Sequence, residues 1–263
     1  MEENKKFKLV TSKKTRYLLP NILTIGGVCL GISSIKFSID GNYSIAVIFI
    51  LLASILDALD GRIARLIKGT SEFGKELDSL TDFVSFGIAP VFILYFWELN
   101  KYGKLGWAIT LIYSVCCVLR LARFNLTKSN SQQIWKNNYF EGVPSPAGGI
   151  LILMPLIFEL ADLKFNFNIK TITPYLTILV AVLLVSKIPT LSLKKISISP
   201  KATAFILLGI GITFIFLLYY TFEALLVFGL VYLISIPVSS IMYITRSKKE
   251  ILETLDEDHE DVL

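Results

Sequence analysis

The chain has 263 residues, 54% of them hydrophobic, with mean hydropathy +0.64 and a formal net charge of +5. A soluble domain of this length would carry a lower apolar fraction and more charge than the 18% seen here, so that class is set aside. The positive excess is explained by where the cations sit, and it is weak evidence for a nucleic-acid partner.

The chain opens with a basic segment, residues 1–16 (MEENKKFKLVTSKKTR). It has too few apolar residues for a signal-peptide core and is expected to lie along an anionic membrane surface. Eight apolar runs follow, at 17–39, 43–65, 78–98, 105–124, 146–162, 172–189, 202–220 and 222–244. Runs of about 17 to 25 residues can cross ~30 Å of hydrocarbon as helices. The fifth and sixth are short, and Pro155, Pro174 and Pro189 lie in or beside them. The expected fold is therefore an all-α integral membrane protein with eight transmembrane helices. Placing both ends in the cytoplasm puts all but five of the 26 Lys and Arg residues inside; the exceptions are Lys36, Lys101, Lys104, Lys164 and Lys170. That bias follows the positive-inside rule. Residues 246–263 form a charged C-terminal tail, of which the acidic part EILETLDEDHEDVL is expected to be a short fraying helix or disordered. Cys29, Cys116 and Cys117 all fall within spans and form no CxxC, so neither a disulfide scaffold nor a thiolate metal site is indicated. The single histidine, His259, lies in the tail, so a base within the membrane must be another residue type.

The segment DALDGRIARLIKGTSEFGKELDSLTD joins the second span to the third. Asp57 and Asp60 are spaced i, i+3, and Asp78 and Asp82 are spaced i, i+4, so each pair shares a helix face. Two consecutive antiparallel helices would bring the four carboxylates together at the inner interface. Four anions in a low dielectric repel strongly, and a hard divalent metal is the natural partner for an all-oxygen set. Mg²⁺ or Mn²⁺ fits, and four carboxylates could hold two ions, the usual setting for phosphate chemistry. Gly61, Ala64 and Gly74 permit close approach of backbone or ligand, and Arg65 can take a phosphate in bidentate fashion. On chemistry alone, an ion or proton pathway is the rival reading, because acids within a membrane often mark one. A cation transporter with an intramembrane acidic site is that rival.

The full pattern reads Asp57-x2-Asp60-Gly61-x2-Ala64-Arg65-x8-Gly74-x3-Asp78-x3-Asp82. At every one of its eight fixed residues it resembles the signature of the CDP-alcohol phosphotransferases. The resemblance implies an enzyme that joins an alcohol to a phospholipid group by displacing CMP from a CDP-linked lipid. It implies a six-helix catalytic core over residues 17–189, with two added helices over 190–245, and a homodimer. It also implies that Asp57, Asp60 and Asp78 hold metal, that Asp82 completes a two-metal site and acts as general base, and that Gly61, Arg65 and Gly74 line the CDP site. The start of the first span contributes to the nucleotide pocket in this family. Here that segment is LPNILTIGG, which makes Asn21 and Thr24 candidates, against the plain alternative of a Pro-Asn helix start at the interface.

Two further stretches concern the acceptor: LRLARFN, Leu119 to Asn125, and EGVPSPAGG, Glu141 to Gly149. Arg120 and Arg123 are spaced i, i+3 and could face one cavity, or could simply anchor the inner end of a span. Glu141 offers an anion, and Ser145 offers a hydroxyl or a helix cap. A carboxylate held by arginine and an ammonium held by Glu141 match L-serine better than glycerol phosphate or inositol phosphate. Both stretches also resemble the phosphatidylserine synthase branch of the family. The expected reaction moves a phosphatidyl-type group, diacyl or isoprenoid diether, to the hydroxyl of L-serine. A sibling transferase acting on glycerol phosphate or inositol phosphate is the nearer alternative.

Overall fold

A computed structural model describes residues 13–67, 69, 71–127, 139–163, 168–191 and 200–260. The basic segment expected along the membrane surface lies outside these residues except for its last four positions. The helices, in chain order, are α1 (Lys13–Ile39), α2 (Tyr43–Leu66), α3 (Glu72–Asp82), α4 (Ala89–Trp97), α5 (Lys104–Thr127), α6 (Ser145–Ile152), α7 (Met154–Leu160), α8 (Thr173–Val185), α9 (Pro200–Tyr219) and α10 (Thr221–Glu260). Two three-residue strands, β1 (Tyr139–Glu141) and β2 (Pro189–Leu191), pair antiparallel, with Phe140 opposite Thr190 and Glu141 opposite Pro189.

Five helical stretches are long and apolar enough to cross a membrane: Leu18–Ile39, Tyr43–Leu66, Glu72–Trp97, Lys104–Leu126 and Thr221–Thr245. They match five of the eight expected spans. Of the other three expected spans, two take different forms. The run at 146–162 is two short helices that meet at Leu153, because Pro155 has no N–H to continue the ladder. The run at 172–189 contains only the 13-residue α8, after which the chain turns extended at Ser186. The run at 202–220 is occupied by α9. The acidic tail does not begin a separate element; α10 continues through Pro237 to Glu260.

α1 and α2 form an antiparallel hairpin packed along their length. The turn between them depends on Gly41, whose φ of 78° lets Asn42 N–H reach back to the Phe37 carbonyl at 2.8 Å. The third rod starts at Glu72, one and a half turns before the expected start at 78, so Asp78 lies inside a helix rather than at its tip. Ser71 caps that helix by accepting from Gly74 N–H at 3.0 Å. Immediately after Asp82 the backbone widens into a π segment, Phe83–Ile88, before α4 resumes. Ala89 N–H bonds to the Val84 carbonyl, five residues back, and the next residue is Pro90, which can donate to nothing.

The core gathers around this π segment. Phe86, Ala89, Ile93 and Leu94 are fully buried, and they are joined by Ile50 from α2, Tyr113 and Cys117 from α5, Leu151 to Leu153 from the α6–α7 break, and Leu184 from α8. Tyr113 donates to the Phe86 carbonyl at 3.0 Å, which satisfies an acceptor in the widened turn. Large apolar side chains stand exposed on the outside, among them Ile32, Leu111, Val115, Val182 and Val231. An apolar exterior around a polar-containing interior suits hydrocarbon as the solvent. The three cysteines are free thiols.

Candidate active site

The C-terminal halves of α2 and α3 carry the four aspartates. Their placement follows from local helix geometry: three- and four-residue spacings on two antiparallel helices bring both pairs to one facing seam. Asp57, Asp60 and Asp78 each offer a carboxylate oxygen, and these oxygens all lie within 4.8 Å of one another. Asp60 is buried, and Asp57 and Asp78 are half-buried. Asp82 lies one turn deeper along the third rod, with its carboxyl in contact with that of Asp57. One of its oxygens, Oδ1, is buried without a hydrogen-bond partner among the described residues. Three or four oxygen ligands crowded this closely fit a hard divalent cation, because unneutralised carboxylates at such separations repel by several kcal/mol even at an effective dielectric of about 20.

α1 supports the cluster from the other side. Thr24 is buried, and its Oγ1 lies 2.6 Å from Asp60 Oδ2 and 3.0 Å from the Pro20 carbonyl. One hydroxyl hydrogen serves one acceptor, and the shorter, charge-assisted contact to Asp60 is the stronger. Asn21, one turn back, packs against α3: a Cβ built on Gly74 would sit 3.2 Å from Asn21 Oδ1 and 3.1 Å from Ser71 Oγ. The first span therefore reaches both halves of the aspartate segment, and of its two candidates Thr24 has the direct bond to a carboxylate. Gly61 is different. A Cβ there would meet nothing within 4 Å, so no packing within the chain calls for a glycine. Arg65 is exposed one helical turn beyond it on α2.

Behind Asp82 is a second polar group. Arg120 on α5 is 7% exposed and donates through Nη1 to Ser145 Oγ at the start of α6. Its guanidinium lies 5.8 Å from the centre of the Phe124 ring. The charges of Arg120 and Asp82 act directly on each other. Asp82 thus lies between two groups: its carboxyl meets that of Asp57, and the charge of Arg120 reaches it. Ser145 is fully buried at the first helical position, and Pro144 occupies the cap, so Ser145 is not the helix cap.

Arg123 does not join this group. It donates to the carbonyls of Val185 at 2.6 Å and Ser186 at 2.9 Å, closing off the C-terminus of α8. The i, i+3 spacing allows both arginines one cavity, but the carbonyls at the end of α8 engage the second. Glu141 is placed by its backbone in β1 opposite Pro189, and its side chain falls outside the described residues. The next residue, Gly142, has φ 76° and donates to the Ile188 carbonyl at 2.9 Å, while its own carbonyl accepts from Thr190 Oγ1 at 2.8 Å. These bonds tie the loop before Ser145 to β2.

Several supporting residues were not legible as site residues. Asn125, the last residue of LRLARFN, donates to Ser79 Oγ at 3.0 Å and so clamps α5 to α3 beside Asp78. Ser85 donates to the Gly27 carbonyl at 3.1 Å, fixing the π segment to α1. Tyr113 and Tyr232 lie within electrostatic reach of Arg120. Only a periodicity-independent polar residue facing the core would have signalled them, and that facing is set by tertiary contacts.

The chain is similar to known proteins. The family model of CDP-alcohol phosphatidyltransferases matches residues 17–186. The chain is 38% identical over 191 residues to a CDP-diacylglycerol–serine O-phosphatidyltransferase of Mycobacterium leprae, which covers 71% of this chain and 62% of that protein. It is 35% identical over 221 residues to the Helicobacter pylori protein of the same name, covering 83% and 89%. It is 34% identical over 150 residues to the one from Bacillus subtilis, covering 57% and 77%. The chain therefore spans less than two thirds of the mycobacterial relative and nearly all of the Helicobacter one.

Proposed function

Because this chain belongs to the CDP-alcohol phosphatidyltransferase family, we propose that it moves a phosphatidyl-type group from a CDP-linked lipid to the hydroxyl of L-serine, releasing CMP. The observation that carries the reading is the position of Asp82, in contact with Asp57 of the carboxylate cluster on one side and within the field of Arg120 on the other. An acceptor whose carboxylate engages Arg120 and Ser145 would have its hydroxyl near Asp82. The serine oxygen then attacks the lipid-side phosphorus, the bond from that phosphorus to the CMP oxygen breaks, and Asp82 takes the serine proton. A positioned carboxylate of this kind contributes about 10²- to 10⁴-fold.

Asp57, Asp60 and Asp78 would hold a divalent cation, Mg²⁺ or Mn²⁺, and Asp82 would complete a two-ion site. When bound, such ions neutralise the pyrophosphate and stabilise the departing CMP. Thr24 orients Asp60, Asn21 and Gly74 frame the nucleotide side, and Gly61 and Arg65 form the open approach to it. Glu141 would face the serine ammonium. Residues 17–189 form the catalytic core, and residues 190–245 extend it. The charge bias supports eight spans with both termini and the site on the cytoplasmic side, and family membership carries the expectation of a homodimer.

The test is incubation of the purified protein with CDP-diacylglycerol, Mg²⁺ or Mn²⁺, and labelled serine, glycerol 3-phosphate or inositol phosphate in separate reactions. Serine-dependent CMP release with a labelled lipid product is expected. Consumption of glycerol 3-phosphate and not serine would overturn the acceptor assignment. Ion flux into liposomes without CMP release would overturn the enzyme itself.

A further inference from the structure

α10 lies outside the expected catalytic core, yet it packs against α7 and against β2, which holds the loop before Ser145. It carries Tyr232, whose ring is half-buried against the core. Among the described residues the buried Tyr232 hydroxyl has no hydrogen-bond partner. The Thr190 side chain lies beside it and spends its own hydrogen on the Gly142 carbonyl. The charge of Arg120 acts on the Tyr232 oxygen. Arg120 itself has a buried Nε–H with no acceptor among the described residues, although its Nη1 is engaged by Ser145.

Two buried donors in electrostatic reach of each other, without acceptors among the described residues, cost free energy. A ligand that brings acceptor oxygens resolves both at once. A guanidinium edge plus a neutral O–H donor suits a carboxylate, which offers about four lone-pair sites on two oxygens. We propose that Tyr232 is an acceptor-binding residue, donating from the added helix α10 to the same acceptor carboxylate that Arg120 holds. This rests on the serine reading above, and it gives the last helix a role in selecting amino-acid acceptors over simple amino alcohols.

The first experiment is Tyr232→Phe, which removes one oxygen and leaves the ring. A charge-assisted hydrogen bond lost in this way should raise the KM for serine about tenfold or more. The kcat at saturating serine, the KM for CDP-diacylglycerol and the thermal midpoint should stay unchanged. Ethanolamine, which lacks the carboxylate, should inhibit wild type and variant equally. A serine KM within about twofold of wild type, or a parallel rise in the CDP-lipid KM, would overturn the proposal; tenfold is the scale of one such bond. The second experiment avoids the variant: 3-fluorotyrosine at position 232 should shift its fluorine resonance on addition of serine and not of ethanolamine. No shift with serine overturns the proposal even if Tyr232→Phe fails to fold. If wild type consumes glycerol 3-phosphate instead, the serine reading alone fails, and the KM for that anionic acceptor decides the role of Tyr232.

Discussion

Thr24 on α1 donates to Asp60 on α2 across 2.6 Å, with both side chains buried. The bond couples the helix proposed to frame the nucleotide side to the buried carboxylate of the Asp57, Asp60 and Asp78 cluster. A ligand carboxylate fixed by such an outer partner loses about 10- to 100-fold in metal affinity when the partner is removed. Thr24→Val keeps the shape and deletes the donor. It should raise the Mg²⁺ concentration for half-maximal activity by about tenfold, and it should weaken metal-induced thermal stabilisation to match. Thr24→Ser should stay close to wild type in both measurements.

Asp82 and Asp57 touch, but they are predicted to fail in different ways. Asp82→Asn keeps an oxygen toward the cluster and removes the proton acceptor. Turnover should fall by about 10²-fold or more while CDP-diacylglycerol binding is largely retained. Asp57→Asn should lose CDP-lipid binding along with turnover. Equilibrium binding of a labelled CDP-lipid, measured beside kcat, separates the two. Equal loss of binding in both variants would leave Asp82 as a metal ligand only.

What the sequence made visible was local. The aspartate seam depends on three- and four-residue helix spacing, and α2 begins at the expected residue and ends one beyond the expected last one. Asp78 and Asp82 were paired correctly even though their helix starts six residues early. The break at Leu153 and the π segment after Asp82 were hidden because Pro155 and Pro90 sit inside apolar runs, where hydropathy has no period to interrupt. Arg123 could not be separated from Arg120 by spacing, since its partners are carbonyls about sixty residues away that are exposed only because α8 stops at Val185. Tyr232 was invisible for the same reason at greater range: nothing in an apolar run distinguishes a tyrosine facing an arginine from one facing lipid.

That division of the two arginines gives a paired prediction. Arg120→Lys retains charge but loses the planar fork, so Ser145 and the acceptor carboxylate cannot both be held. The KM for serine should rise at least tenfold, with little change in the CDP-lipid KM. Arg123→Gln removes a charged donor from two carbonyls at the end of α8. It should destabilise the protein by about 1.5 kcal/mol and lower the thermal midpoint in detergent while leaving the serine KM near wild type. If Arg123→Gln instead raised the serine KM at an unchanged midpoint, Arg123 would belong to the acceptor site after all.

Gly61 and Gly31 separate ligand space from packing space. A Cβ at Gly31 would sit 2.8 Å from Ser85 Oγ and 3.0 Å from Ser85 Cα, where backbone would have to move. Gly31→Ala should therefore destabilise by about 1 to 3 kcal/mol and disturb the π segment that follows Asp82. A Cβ at Gly61 meets nothing within 4 Å, and alanine in a helix interior is favoured over glycine by about 0.5–1 kcal/mol. On folding alone, Gly61→Ala should be neutral or stabilising. Yet Gly61 follows Asp60 directly and lies one turn before Arg65, on the open approach assigned to the CDP-lipid. A methyl group there would occupy volume that the nucleotide or its phosphates need. Gly61→Ala should keep or raise the thermal midpoint, lower CDP-lipid affinity by about tenfold or more, and leave the serine KM unchanged, since a misplacement of about 1 Å in a reacting complex can cost about 10²-fold. Unchanged CDP-lipid affinity in a stable Gly61→Ala protein would move the nucleotide off this face of α2.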